Sequence, residues 1–279
     1  MAKDRKDLTA YAIIAAILLL LAYPALTWLI RSWLSNPYYS HGFLIPPIVA
    51  LLLWRLGRHA RQEPRQGQTW AGLALTVASL ALVIRTLRWQ NYVLTWGALI
   101  GLLIGILLYL EGWLRLKHWL FPLLFLALMV PLPFIDLASP WLESFTAQTA
   151  ATLARAVGIS AVQQGGEITL PNTTVVVGAP CSGLRSLVAM VTLAIGWVYL
   201  VKGRLIAKLI MLLAIVPLVA LSNVLRVAIL LVVAQVWSAE AALTYYHDWS
   251  SPVLFLMALG LLLILGKILG CNQIRDDIF

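Results

Sequence analysis

Long apolar runs separated by short polar segments make up most of the chain. The first run covers residues 10–30 and can cross a bilayer, since about 20 apolar residues suffice. Similar runs recur along the rest of the sequence. We predict membrane-spanning helices at about 10–30, 42–56, 70–87, 92–110, 119–137, 183–201, 205–237 and 251–269.

The run over 205–237 is too long for a simple crossing. As a straight helix it would measure about 50 Å, whereas the apolar core of a bilayer is roughly 30 Å thick. It contains Pro217 and a polar interruption at Ser222–Asn223. The pattern predicts either one long, kinked helix that projects from the membrane or a helix broken near Ser222.

The longest stretch without a predicted span lies between residues 138 and 180. Its first half, Pro140–Val157, is rich in alanine and mildly amphipathic, which is typical of a helix on the membrane surface. In its second half, Ile168–Leu170 and Val175–Val177 flank a Pro-Asn turn and predict a small hairpin. The expected fold is an all-α polytopic membrane protein with about eight transmembrane helices. We treat residues 1–279 as a single membrane domain, with 138–180 as an extracytoplasmic insert of helix and hairpin.

Composition and charge agree with this architecture. Hydrophobic residues make up 62% of the chain and charged residues 11%, whereas a soluble domain has about a quarter charged residues. The net charge of +9 is dispersed between apolar runs, a pattern that indicates membrane topology and not nucleic-acid binding. With the N-terminus inside and eight crossings, fourteen of the 20 Lys and Arg residues fall inside and six fall outside or in the outer half. This topology puts Cys181, Arg226 and His247 on the outer side.

Cys181 lies where the predicted helix over 183–201 begins. A thiol at a helix N-terminus faces unpaired backbone N–H groups and the positive end of the helix dipole, and both favour the nucleophilic thiolate. The alternative is a small buried apolar side chain, which is the commoner role of a lone cysteine. Position alone leaves both interpretations open.

Arg226 and His247 are the other candidates for chemistry. Arg226 lies within an apolar run, where a charged side chain is costly and usually faces a cavity with a partner. It is either a structural, snorkelling arginine or a guanidinium that stabilises a thiolate or an oxyanion. His247 is either an interfacial residue of an aromatic belt or a general acid and base for Cys181.

Other patterns point to packing or to weaker candidates. His41, at the outer end of the second span, is a candidate for lining a substrate entrance. Cys271, in the predicted inner tail, is expected to be an inert thiol or a lipidation site. Gly97, Gly101 and Gly105 repeat every four residues, as in a helix-packing face. The sequence has no CxxC, HExxH or Gly-rich phosphate loop, so we expect no metal and no cofactor.

Motifs spread along the chain resemble the signature of the exosortase/archaeosortase family, over about residues 38–257. They are Cys181–Ser186, Asn223–Arg226 and His247, and the stretches Ser40–Pro46 and Pro131–Phe134 are also similar to bacterial exosortases. The resemblance implies an eight-span membrane cysteine protease and transpeptidase. Its substrates would be exported proteins whose C-terminal signal combines a short Pro-Glu-Pro motif, a membrane helix and a basic tail (PEP-CTERM).

The resemblance also implies roles and partners. Cys181 would be the nucleophile, Arg226 the stabiliser and His247 the acid and base, with His41, Ser182, Arg185 and Asn223 as candidates for substrate binding. The protein would lie in the bacterial inner membrane with its active site on the extracytoplasmic side. Its partners would be PEP-CTERM-type substrates, the lipid bilayer and an amine, lipid or polysaccharide acceptor, and not nucleic acid.

Two alternatives stay open at the level of sequence. One is a non-enzymatic transporter or assembly component for exported polysaccharide, which would bind anions through Arg185 and Arg226 and would not need Cys181. The other keeps the enzyme but limits it to hydrolysis, without transfer to an acceptor.

Overall fold

The fold is mostly helical. The computed structural model describes residues 2–67, 69–132, 135–178, 182–238, 240–276 and 278, without the side chains of residues 2–12, 135, 136, 138, 243–245, 247 and 248. The α-helices are α1 (Ala2–Ser35), α2 (Ile45–Ala60), α3 (Trp70–Arg88), α4 (Tyr92–Glu111), α5 (Trp113–Phe125), α6 (Ile135–Ala156), α7 (Leu184–Leu200), α8 (Leu205–Val236) and α9 (His247–Ile268). The described residues also form short 3-10 helices at Pro37–Leu44 and Leu126–Met129, a π-helix at Ala241–Tyr246 and strands β1 (Val162–Gln164), β2 (Glu167–Thr169) and β3 (Thr174–Val176).

Within the described residues, six helices are long and apolar enough to cross a membrane. They are α1, the first 3-10 helix continued by α2, α3, α4, α8 and α9. The chain is therefore a multi-pass, helical membrane protein. It divides into two compact units, Met1–Pro131 and Leu132–Phe279.

In the first unit, α3 and α4 pack closely through glycine. A Cβ atom at Gly105 would lie 2.7 Å from the backbone nitrogen of Thr76, and one at Gly101 would lie 2.9 Å from the hydroxyl of Ser79. Glycine is needed there because any side chain would push the helices apart. The predicted glycine packing face is thus confirmed at Gly101 and Gly105, whereas a Cβ at Gly97 would meet nothing within 4 Å.

Prolines explain why two spans begin or end at residues other than those predicted from hydropathy. The second span starts as the 3-10 helix and continues as α2, whose first turn contains Pro46 and Pro47. Proline is tolerated there because the N–H groups of a first turn have no helical partner. The fifth span was predicted at 119–137, but helical structure begins at Trp113 and ends at Met129. Pro131 accounts for this end, because proline disfavours the helical conformation in the residue before it.

Charged side chains gather around the junction of α4 and α5. The guanidinium of Arg115 donates to the carboxylate of Glu111 at 2.6 Å, and the Lys117 Nζ lies 2.9 Å from the Glu63 Oε1. The hydrogen bond from Lys117 is the main reason that the pKa of Glu63 is lower than usual. These contacts lie at the end of the unit that the charge distribution predicts to be cytoplasmic.

In the second unit, α6 leads into a small antiparallel sheet of order β1–β2–β3. The predicted hairpin corresponds to β2 and β3, in which Ile168 pairs with Val175, and β1 adds a strand that the sequence did not indicate. Helix α6 was predicted on the membrane surface, and this location stays a prediction. One face of the helix, at Ala147, Ala150, Ala151 and Ala154, is buried in a core shared with the sheet and α8. The extracytoplasmic location of this insert stays a prediction.

The long apolar run over 205–237 forms one helix, α8, with Pro217 inside it. Of the two predictions for this run, the one of a helix broken near Ser222 is wrong. The last predicted span, 251–269, begins four residues too late, because α9 starts at His247. The polar residues at 247–251 concealed the helix, since the hydropathy of this turn is that of a loop.

Candidate active site

The segment that follows Cys181 is held by a turn at the N-terminus of α7. Gly183 caps the helix with φ 81°, a left-handed conformation that favours glycine. Ser182 is buried, and its hydroxyl accepts a hydrogen bond from the Leu184 N–H at 3.3 Å. Cys181 itself lies outside the described residues, three positions before α7 begins. The helix start predicted next to it is confirmed.

Asn223 joins this turn to α6 and α8. A Cβ atom at Gly183 would lie 2.8 Å from the Asn223 Cγ, so the backbone of the turn rests directly on the amide side chain. The Asn223 Nδ2 donates to the hydroxyl of Thr146 on α6 at 3.2 Å. The buried amide therefore fixes the turn after Cys181 against two helices.

Arg226 lies one turn further along α8, on a buried stretch of the helix. Only 6% of the residue is exposed. Its Nη1 donates a hydrogen bond of 2.6 Å to the hydroxyl of Ser251 on α9. Hydrogen bonds from a charged donor are shorter and stronger than neutral ones, so this contact joins α8 firmly to α9.

His247 is the first residue of α9, and its side chain lies outside the described residues. Ser251 follows four residues later, so the two positions share one face of the helix. The π-helix Ala241–Tyr246 directly precedes His247, and such segments are frequent at functional sites. Burial raises the pKa of Tyr246, while the charge of Arg226 and a hydrogen bond with Ser250 act against the shift. Tyr246 thus belongs to the surroundings of Arg226.

Two cavities lie along α8 in this unit. One, of about 20 Å³, adjoins the Arg226 guanidinium, and its polar lining consists of Ser186, Ser222, Asn223, Arg226 and Ser251. This volume is enough for one water molecule, which needs about 10–15 Å³ and two to four polar partners.

The second cavity, of about 240 Å³, is bounded by Ser182 and Gly183 of the turn and is otherwise almost wholly apolar. Its walls come from α6, α7 and α8, and they include Trp141 and Phe145, whose rings stack at 5.6 Å. It is large enough for an aromatic side chain, since a cavity of about 150 Å³ binds benzene.

The sequence also singled out Arg185, His41 and Cys271, whose surroundings in the structure differ from one another. Arg185 is exposed on the first turn of α7. His41 lies in the first unit, in the 3-10 helix Pro37–Leu44, where it is partly buried. The substrate-binding roles of His41, Arg185, Ser182 and Asn223 stay predictions. Cys271 is buried against the ends of α7, α8 and α9, so the structure favours an inert thiol over a lipidation site.

Three residues of this region were missed in the sequence. Ser251 could have been found, because it follows His247 at helical spacing. Tyr246 directly precedes His247, but a tyrosine beside a membrane span is typical of an aromatic belt and gave no separate signal. Thr146 gave no signal, since it is one of several threonines in an alanine-rich segment and its partner Asn223 is 77 residues away.

Comparison with known proteins gives a family for the chain. A family model described as transmembrane exosortase matches residues 33–264. No curated protein and no solved structure matches the chain significantly. The family match covers most of the sequence, including the segments of Cys181, Arg226 and His247. The chain belongs to the transmembrane exosortase family and is a multi-pass membrane protein with an exosortase-type sorting function.

Proposed function

We propose that this protein is a membrane cysteine protease and transpeptidase that cleaves PEP-CTERM-type C-terminal signals of exported proteins. Cys181 is the nucleophile, Arg226 stabilises the thiolate or the oxyanion, and His247 is the general acid and base. The cleaved protein passes, through a thioester, to an amine, lipid or polysaccharide acceptor at the surface or to water.

One observation carries the proposal: helix α8 contacts both of the other motif-bearing segments. Asn223 packs on Gly183, two residues after Cys181, and Arg226 bonds to Ser251, one turn after His247. Asn223 and Arg226 are three residues apart and so lie on neighbouring positions of one helix face. Three segments that are distant in sequence therefore meet at α8, as a three-residue catalytic site requires.

The positions of Arg226 along α8 and of His247 at the start of α9 support a site at the outer surface of the membrane. Arg226 lies 21 residues after the start of α8, which corresponds to about 32 Å along a helix, close to the roughly 30 Å of the bilayer core. If Leu205 lies at the cytoplasmic interface, Arg226 reaches the opposite one. Helix α9 runs back from His247, so its first turn lies at the same level. The eight crossings of this topology require that α7, and α5 with the 3-10 helix that follows it, also cross the membrane in addition to the six long helices.

The reaction proceeds in two balanced steps. The Cys181 thiolate attacks the scissile carbonyl carbon, the C–N bond breaks, and the leaving amine takes a proton from the His247 imidazolium. The resulting thioester is attacked by an acceptor amine or by water, which gives a proton to His247 as the thiolate leaves. In both steps the Arg226 guanidinium donates to the oxyanion, a role that preorganised donors fill at low cost.

The apolar cavity beside Gly183 suits the start of the substrate's membrane segment. It adjoins the residues that follow Cys181 and is lined by Leu187, Val216 and Ala220, among others. A substrate that docks laterally from the bilayer would bring its first apolar side chains to this cavity with the scissile bond at its polar edge. The lipid bilayer is thus a partner that presents the substrate.

The test is processing of a co-expressed PEP-CTERM reporter by the wild type and by Cys181→Ser, matched for abundance in the membrane. Cleavage by the wild type alone supports the thiol mechanism, and mass spectrometry of the new C-terminus then distinguishes transfer from hydrolysis. Cys271→Ser is the matched control, because it changes the buried second thiol, and it should process the reporter normally. Equal cleavage by wild type and Cys181→Ser would refute the mechanism.

A further inference from the structure

We propose that Ser251 is a positioning residue, which holds the Arg226 guanidinium at the level of His247. The inference rests on the proposed catalytic role of Arg226. It assigns Ser251 no contact with the substrate. Its action is on the direction of the arginine side chain and on the pairing of α8 with α9.

The contact has the geometry of a specific anchor. The Arg226 Nη1 and the Ser251 Oγ are 2.6 Å apart, and the arginine residue is 6% exposed. A guanidinium carries its donors in a rigid fork, so fixing Nη1 restricts the direction of the remaining donors as well. A hydroxyl fits this place because it accepts a hydrogen bond without adding a second charge.

Arginine needs such an anchor because its side chain is long and its immediate neighbours along α8 are apolar. Arg226 is flanked on α8 by Leu225 and Val227, and ten residues of the helix follow it, the last of which is Val236. An arginine near a membrane surface tends to snorkel, extending its charged head toward water. The bond to Ser251 competes with this movement and keeps the guanidinium between the two helices.

The position of Ser251 on α9 connects the anchor to the proposed acid and base. His247 and Ser251 are four residues apart on one helix, and the Cβ atoms of such a pair are about 5–6 Å apart. When Arg226 binds Ser251, the α9 face that carries His247 is therefore held one turn from the guanidinium. The same bond orients the Arg226 guanidinium and sets its distance from the face of α9 that carries His247.

The first of two experiments measures activity, and it compares the wild type with Ser251→Ala, Ser251→Thr and Thr192→Val in the reporter assay. Thr192→Val is the matched control, since it removes a buried hydroxyl whose hydrogen bond runs to the Val188 carbonyl of its own helix. Misplacement of a catalytic group by about 1 Å costs roughly 10²-fold in rate. Ser251→Ala should therefore lose about 10- to 100-fold in kcat with KM nearly unchanged. Ser251→Thr, which keeps the hydroxyl, should recover most of this loss.

The second experiment needs no activity and uses a double-mutant cycle on the thermal midpoint of the purified protein. Ser251→Ala should lower the midpoint by about 2–4 °C in the wild-type background. It should have almost no effect in an Arg226→Met background, because the bond is then already absent. Additive midpoints would overturn the inference whatever the reporter shows, and so would wild-type kcat in Ser251→Ala. If the wild type did not cleave the reporter but the thermal midpoints of the double-mutant cycle were not additive, the proposed function would be refuted. The Ser251–Arg226 anchor would still be supported.

Discussion

Alanine at position 183 should disable processing while leaving the protein folded. Gly183 has φ 81°, and an L-residue in this left-handed region costs about 1–2 kcal/mol. The new Cβ would also lie 2.8 Å from the Asn223 Cγ, about 0.7 Å closer than the roughly 3.5 Å of ordinary carbon contact. Asn223 cannot retreat without weakening its bond to Thr146, so the turn after Cys181 must move. A displacement of this size costs up to about 10²-fold in rate.

Gly158→Ala separates the effect of backbone strain from the effect of the clash with Asn223. Gly158 has φ 88°, but a Cβ there would meet nothing within 4 Å, so this variant carries the backbone strain without the clash. We expect both alanine variants to lower the thermal midpoint by a few degrees, and only Gly183→Ala to lose about 10²-fold in reporter cleavage. The rates are compared at equal abundance in the membrane. If Gly183→Ala cleaved the reporter at the rate of Gly158→Ala, the packing of Asn223 on this turn would not position Cys181.

Three further outcomes follow from the structure. Ala220→Phe, which fills part of the apolar cavity of about 240 Å³, should raise KM for the reporter, and an unchanged KM would exclude this cavity from substrate binding. Gly105→Ala should lower the thermal midpoint because its Cβ meets the backbone of α3, whereas Gly97→Ala, in open space, should leave it unchanged or raise it slightly. Because Lys117 lowers the pKa of Glu63 from the usual 4.5, this pair stabilises the fold above pH 4.5 and loses its effect as the pH falls through the lowered pKa. The midpoint difference between wild type and Lys117→Met should therefore be full at neutral pH and shrink in acid, and a difference independent of pH would contradict this role.

Much of the helical architecture could be predicted because hydropathy is a local property. Runs such as 70–87 and 92–110 match α3 and α4 to within a residue or two, since polar residues and glycine mark their ends. The errors arose where local signals conflict. Pro131 ended the fifth span earlier than its hydropathy suggested, and the polar first turn of α9 was taken for a loop.

The sequence by itself determined that this is a multi-pass membrane protein, and its motifs indicated the family and the three candidate catalytic residues. Only the tertiary structure decided which side chains meet: Asn223 with Gly183 and Thr146, and Arg226 with Ser251. The physical reason is that a helix such as α8 is apolar nearly all round, so its sequence does not say which face meets which neighbour. That choice depends on close packing and on buried polar groups finding partners across the bundle, and these contacts exist only in the assembled fold.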